Sequence, residues 1–354
     1  MSSGSLTAAI VGLSWIGSDL PGAASDPVLG TAVPYSHASA YSATPQVGNL
    51  VGCDTSPEAR EAFERAWSAR FPGLRTFADA TEMIADVRPD ILSVVTPDHL
   101  HARFAIEAME AGVPRIFCEK PLAITLEDAD RIIDTAERTG ATVSINYTRH
   151  WVPGNVEARA RLRDGTIGEL SQIVMQIGGP RAMLFRNLTH SIDLMAYFAE
   201  SEPRWVFADL EEGFDRYTEY RGNGRDPSLE PGANAYVVFE NGVRGYLAGQ
   251  KSMMVGEVTH LVGSHGRIAL DADGVRLQVP TADGPVTRRL TPSSTVSGMT
   301  AAVAELIAAH DLGASTVSSP LDARRAVAIV AAILQSHAAG NVPVHLTPRS
   351  TEEN

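Results

Sequence analysis

Short apolar runs alternate with segments of helical spacing through the first half of the chain. Residues 6–11 form an apolar run ending at Gly12, and residues 49–53 form a second ending at Asp54. Residues 91–95, 115–118 and 142–146 supply three more. Between them the spacing predicts helices. Ser56-Pro57 reads as an N-cap followed by proline at the first helical position, with that helix expected to stop near Pro72-Gly73. Phe104, Ala105, Ala108 and Met109 share one helical face over residues 102–111, closed by Gly112. Thr125 and Asp128 form a capping-box signature ahead of a helix expected to end at Gly140. Strands alternating with helices are the pattern of a parallel sheet wound with helices. Residues 17–46 depart from it, being rich in Gly, Pro, Ser and Ala; 19–34 read as an inserted loop and 36–43 as the resumed helix.

After Trp151 the texture changes to alternating strands, at 170–177, 233–240 and 243–248. The last two are joined by Asn241-Gly242, a type I′ hairpin signal, and Asp273-Gly274 and Asp283-Gly284 mark further turns. Two apolar-rich helical segments, 299–309 and 321–338, close the chain. Its 354 residues suit two domains. The fold expected is an α/β dinucleotide-binding domain over 1–148 followed by an α+β domain over 149–354, with a mainly antiparallel sheet and flanking helices.

The formal net charge of −13 argues against nucleic acid or an anionic membrane as a partner, since both need concentrated positive surface. Only two cysteines occur, each ending an apolar run, so a disulfide framework is not expected. The first residues lack the basic and apolar regions of a secretory signal, and no run approaches the ~18 apolar residues of a membrane span. A cytoplasmic location is the expectation.

Gly12-Leu13-Ser14-Trp15-Ile16-Gly17 follows the first strand and keeps the outer glycines of G-x-G-x-x-G, with Ser14 where the middle glycine belongs. That position brings backbone close to a pyrophosphate, so a small serine is tolerable there. Asp54, ending the second strand, suits the ribose hydroxyls of an adenosine and repels a 2′-phosphate, which predicts NAD over NADP. The same residue alternatively caps the following helix.

Three further segments carry a resemblance: Thr96-Pro97-Asp98-His99-Leu100-His101, Cys118-Glu119-Lys120-Pro121-Leu122 and Thr189-His190-Ser191-Ile192-Asp193-Leu194. In this order and spacing the chain resembles the Gfo/Idh/MocA oxidoreductases, named for glucose–fructose oxidoreductase, inositol dehydrogenase and the rhizopine catabolism protein. The resemblance implies a Rossmann domain followed by an open, mainly antiparallel sheet domain that binds substrate and mediates homodimer or homotetramer formation. It implies that Lys120 contacts cofactor and substrate, that His190 lies beside the reacting hydroxyl, and that Thr96, Pro97, His101 and Glu119 lie near the cofactor. It also places Tyr147, Arg149 and Trp151 at the substrate edge, with core packing the alternative for Trp151.

These residue types suit oxidation of a secondary alcohol. A neutral imidazole accepts the hydroxyl proton as hydride leaves the carbon, and an ammonium stabilises the developing alkoxide. Many family members carry Asp four residues before the histidine; this chain has Arg186. Facing a pocket, Arg186 suits a carboxylate or phosphate; otherwise it points to solvent. Asn187 then offers a substrate contact, and Asp193 stands one helical turn after His190. His260 and His265 lack a third ligand at zinc spacing, so no metal is expected. The leading expectation is an NAD-dependent dehydrogenase of a sugar or inositol-like polyol. The alternatives are a redox-neutral reaction through a transient keto sugar, such as glycoside cleavage, and a non-catalytic NAD-binding regulator.

Overall fold

β1 (Leu6–Val11) is buried from Ala8 to Val11, as a central parallel strand covered on both faces must be, and it ends where Gly12 adopts φ +98°. The computed structural model describes residues 5–18, 23–26, 31–34, 36–222, 226–292 and 298–349. The expected inserted loop carries an antiparallel pair, β2 (Ala23–Asp26) and β3 (Thr31–Pro34). The rest of that insertion, 19–22 and 27–30, lies outside the described residues. The resumed helix, α1 (His37–Ser42), opens on a capping box: Ser39 N donates to Ser36 Oγ at 3.1 Å and Ser36 N to Ser39 Oγ at 3.0 Å.

Next come β4 (Val47–Cys53), α2 (Pro57–Trp67), β5 (Arg75–Phe77), α3 (Ala80–Val87), β6 (Ile91–Val94), α4 (His101–Glu110), β7 (Arg115–Cys118), α5 (Leu126–Thr139) and β8 (Thr142–Ile145). Six of these strands form a parallel sheet in the order β5-β4-β1-β6-β7-β8. That is the Rossmann order, two βαβ halves running outward from β1. α2 stops at Trp67, earlier than Pro72-Gly73, because tight turns after it fold Phe71 into the core beside Trp67. β5 and α3 went unread in the sequence; β5 has only three residues and no fully buried side chain.

The second unit comprises α6 (Pro153–Arg163), β9 (Leu170–Gly178), α7 (Thr189–Ala199), β10 (Pro203–Leu210), β11 (Ala233–Phe239), β12 (Arg244–Gln250), β13 (Gly256–Gly263), β14 (Arg267–Asp271), β15 (Gly274–Thr281) and β16 (Gly284–Leu290). With β17 (Val344–His345) it makes a nine-stranded sheet, β16-β15-β14-β13-β9-β12-β11-β10-β17, antiparallel except for β9 with β12. The Asn241-Gly242 hairpin is not type I′. Only Gly242 has positive φ (+86°), Gly242 N donates to Phe239 O at 2.9 Å, and Phe239 N to Val243 O at 3.0 Å. This is a three-residue loop, a type I turn completed by a left-handed glycine.

The remaining helices are α8 (Gly298–Leu312) and α9 (Pro320–Ala338). The first unit consists of residues 1–151 with 296–323, and the second of 152–295 with 324–354. α8 belongs to the first because Met299, Val303, Leu306 and Ile307 join a core with Ile10, Trp67, Phe117 and Trp151. Among the described residues no helix is long and apolar enough to cross a membrane.

Candidate active site

In the first unit the candidate cofactor residues gather where ligands of open parallel sheets bind, at the C-terminal ends of β1, β4, β6, β7 and β8. A Cβ on Gly12 would stand 2.4 Å from Val95 O, and one on Gly17 2.2 Å from Gly12 O, so the turn admits neither side chain. Ser14 sits at φ −88°, ψ 150°, which any residue adopts; its backbone does not need the glycine that the motif usually has there. Trp15 holds φ +52° and is 45% exposed, a left-handed conformation that costs a bulky residue about 1–3 kcal/mol.

Asp54 braces this loop. Its Oδ2 accepts from Leu13 N at 2.9 Å and its Oδ1 from Ser56 N at 2.9 Å. Capping of α2 falls to Ser56, whose Oγ accepts from Ala59 N at 3.2 Å. Arg60 donates to the Asp54 carbonyl at 2.6 Å and the Thr55 carbonyl at 3.2 Å.

Two loops meet through His101, which is fully buried: its Nδ1 lies 2.7 Å from Pro121 O and its Nε2 3.0 Å from Thr96 O. The Thr96-Pro97 turn is thereby tied to the Lys120-Pro121 turn. Next to half-buried Lys120, the Glu119 carboxylate contacts His37 Nε2 at 3.0 Å and accepts from Asn146 Nδ2 at 2.5 Å. Behind them, Ser93 Oγ meets His37 Nδ1 at 2.8 Å and Tyr41 OH at 2.6 Å. Burial works against the Glu119 charge, yet the hydrogen bond and charge of His37, with Lys120 and Asn146, leave its carboxyl below the usual range. Burial pushes the Tyr41 phenol well up, against its hydrogen bond with Ser93. His37, Tyr41 and Ser93 escaped the sequence reading. Their one signal was a serine inside the apolar run 91–95.

Tyr147 is fully buried, Arg149 is 4% exposed and Trp151 7%. The last two lie in a 3₁₀ turn, Thr148–Trp151, and Trp151 takes its place in the core with α8.

In the second unit, a π-helical turn, Leu184–Leu188, runs directly into α7 and so positions Arg186, Asn187 and His190. Two glycines of β12 let this segment lie close on the sheet. A Cβ on Gly245 would stand 2.1 Å from Met195 Sδ, and one on Gly249 2.4 Å from Leu188 Cδ2. His190 and Asn187 are half-buried, and Asp193 is buried. Arg186 neither faces an open pocket alone nor points to solvent. Its side chain is 13% exposed, with Nε 3.6 Å from Glu230 Oε2 and Nη2 donating to Tyr220 OH at 2.9 Å.

Among the described residues no three His, Cys, Asp or Glu side chains are grouped to hold a metal. Burial, ahead of the charges of Asp79 and Asp54, pushes the Cys53 thiol up to about 12, and Cys118 is also raised, by burial first; neither suits nucleophilic chemistry.

The first unit has the Rossmann fold, and residues 6–147 match the family described as "Oxidoreductase family, NAD-binding Rossmann fold". The matching family model is that of the Gfo/Idh/MocA oxidoreductases, and the match is confined to this N-terminal stretch. Among curated relatives, inositol 2-dehydrogenase of Rhizobium meliloti is 26% identical over 318 residues, covering 85% of this chain and 92% of that protein. D-glucoside 3-dehydrogenase of Escherichia coli is 28% identical over 134 residues, spanning only 38% of this chain and 37% of that protein. The fold is shared with a solved levoglucosan dehydrogenase in complex with NADH and L-sorbose, at TM-score 0.77 and 21% identity, over 97% of this chain and 99% of that one.

Proposed function

We propose that the protein is an NAD-dependent dehydrogenase that oxidises a secondary hydroxyl of a sugar or inositol-like polyol. The observation that carries the reading is the cluster at the ends of the parallel strands, where the Gly12–Gly17 turn braced by Asp54 lies in the same sheet as the tied Thr96 and Lys120 turns. The residues fit a dinucleotide: Gly12 and Gly17 leave room where a Cβ would strike backbone, and Ser14 and Trp15 are exposed. Bound there, NAD supplies the hydride acceptor.

The chain's own residues supply the rest. With that acceptor bound, His190 would take up the hydroxyl proton as the carbinol is oxidised to a ketone. Lys120 stabilises the developing alkoxide, and the ionised Glu119, anchored by His37 and Asn146, fixes the turn that carries it. Asp54 supports NAD over NADP, because its carboxylate repels a 2′-phosphate and Arg60 is turned to the carbonyls of Asp54 and Thr55. The relatives named for inositol and D-glucoside dehydrogenation support the polyol class.

The test is NADH formation with NAD or NADP across a panel of sugars, inositols and sugar acids. Turnover with NAD, falling at least about a hundredfold in Lys120→Ala, is expected for loss of an electrostatic stabiliser. Preference for NADP by the unmodified protein would remove the cofactor assignment. Unchanged turnover in Lys120→Ala would remove the mechanism.

A further inference from the structure

Between β10 and β11 the chain makes a long excursion, residues 211–232, described except at 223–225. Loops of this length inside a compact unit usually serve a site. Its base is closed: Glu211 N donates to Gly232 O at 3.0 Å and Gly232 N to Glu211 Oε2 at 2.9 Å. Lys251, next after β12, staples it. The ammonium lies 2.7 Å from Glu211 Oε2 and donates to Glu230 O at 2.9 Å and to the Pro227 carbonyl.

The end of this loop docks on the π-helical turn that leads to His190. Leu184 N donates to Pro231 O at 2.9 Å and Phe185 N to Glu230 Oε1 at 2.5 Å, so two amides that a helix start leaves without internal partners are satisfied. The second carboxylate oxygen of Glu230, a side chain only 1% exposed, faces Arg186. Tyr220 packs its ring 4.7 Å from Phe185 and accepts from Arg186. Two cations, Arg186 and Lys251, thus meet two carboxylates, Glu230 and Glu211, in one cluster. Burial first, and then the negative charge of Glu230, pushes the neighbouring Tyr217 phenol up to about 12. A carboxylate this deeply buried stays charged only with a counter-ion, and Arg186 is that ion.

We propose that Glu230 sets the charge class of the substrate: by neutralising Arg186 one turn before His190, it makes this wall of the site select uncharged polyols and reject sugar acids and sugar phosphates. The proposal rests on the dehydrogenase reading above and deepens it. An anionic substrate would have to take Arg186 from a carboxylate already in place and leave that carboxylate buried without its partner. A neutral hydroxyl asks for no such exchange. Arg186 in the place of the family's usual aspartate is therefore not a sign of an acidic substrate, because its charge is cancelled by a loop residue 44 positions away in sequence.

The experiment compares D-glucose, myo-inositol and D-glucuronate, with NAD present, in the wild type, Glu230→Gln and the double variant Arg186→Gln/Glu230→Gln. Both initial rates and calorimetric binding are read. The wild type should bind glucuronate at least tenfold more weakly than its better neutral ligand. Glu230→Gln, which frees the guanidinium, should shift the acid-to-neutral ratio toward glucuronate at least tenfold, and the double variant should shift it back. A purely structural role for Glu230 would weaken all ligands alike and leave the ratio unchanged, which overturns the proposal. Should Glu230→Gln fail to fold, the wild type decides: tighter binding of glucuronate than of either neutral ligand is the contrary result. Absence of turnover with every ligand, while the binding ratio still moves as described, would sink the dehydrogenase reading and leave the role of Glu230 standing.

Discussion

Glu119 ties His37 and Asn146 to the Lys120 turn, and it carries a charge in spite of burial. Its folded-state pKa lies below that of the free carboxyl, so its contribution to stability is fully present above the ordinary glutamate value of about 4.3. That contribution is lost as pH falls through the depressed value. Glu119→Gln should cost about 1–3 kcal/mol near neutrality, the range for removing a charge-assisted hydrogen bond. Denaturant midpoints of variant and wild type should draw together as pH falls below the ordinary glutamate range and through the depressed folded-state value; a gap constant with pH would disprove the charged role. The cysteines offer a second check. With both thiols buried and raised, neither should react with a thiol reagent until the protein unfolds. Sequence showed Asp54, Lys120 and His190 because each stands in a short local motif. It hid His37, 82 positions from Glu119, and Glu230, 45 positions from Phe185, because those contacts exist only after the chain has folded.

At the scale of elements, glycines decide how closely backbones approach. Gly17→Ala would press a methyl carbon within 2.2 Å of Gly12 O, a backbone atom without a flexible end to yield. The turn must shift, and NADH affinity should fall about tenfold or more, equal to roughly 1.4 kcal/mol; titration of bound NADH fluorescence would reveal it, and unaltered affinity would contradict the cradle. In the second unit, Gly249→Ala meets Leu188 at 2.4 Å and Ala233 O at 2.9 Å. Overpacking there should cost about 1–3 kcal/mol in thermal or denaturant unfolding, and an unchanged midpoint would show that the π-helical turn does not rest on β12 as described. The strands with alternating or fully apolar runs were readable in the sequence, as was the cap of α2. The Asn241-Gly242 turn was readable as a turn but not as its type, since the same dipeptide fits a two-residue loop and the end of a three-residue one. β5 was too short to carry a periodicity.

For the molecule as a whole, the order of elements along the chain does not coincide with its two units. α8 leaves the C-terminal half to complete the core of the N-terminal one, and apolar helices look alike in sequence whichever core they enter. A fragment of residues 1–151 alone should therefore expose the surface around Ile10 and Trp151, bind a hydrophobic dye and unfold without a cooperative transition. Cooperative unfolding of that fragment would show that α8 is dispensable.

The proposed dehydrogenation gives His190 the role of base toward the substrate hydroxyl. That role is tested most directly by the pH dependence of NADH formation from a neutral polyol, in the wild type and in His190→Ala. The wild type should lose kcat/KM on the acid side as a group with a histidine-like pKa takes up a proton, and His190→Ala should be slower by about a hundredfold or more and lack that limb. An acid limb that persists in His190→Ala with undiminished rate would contradict the account.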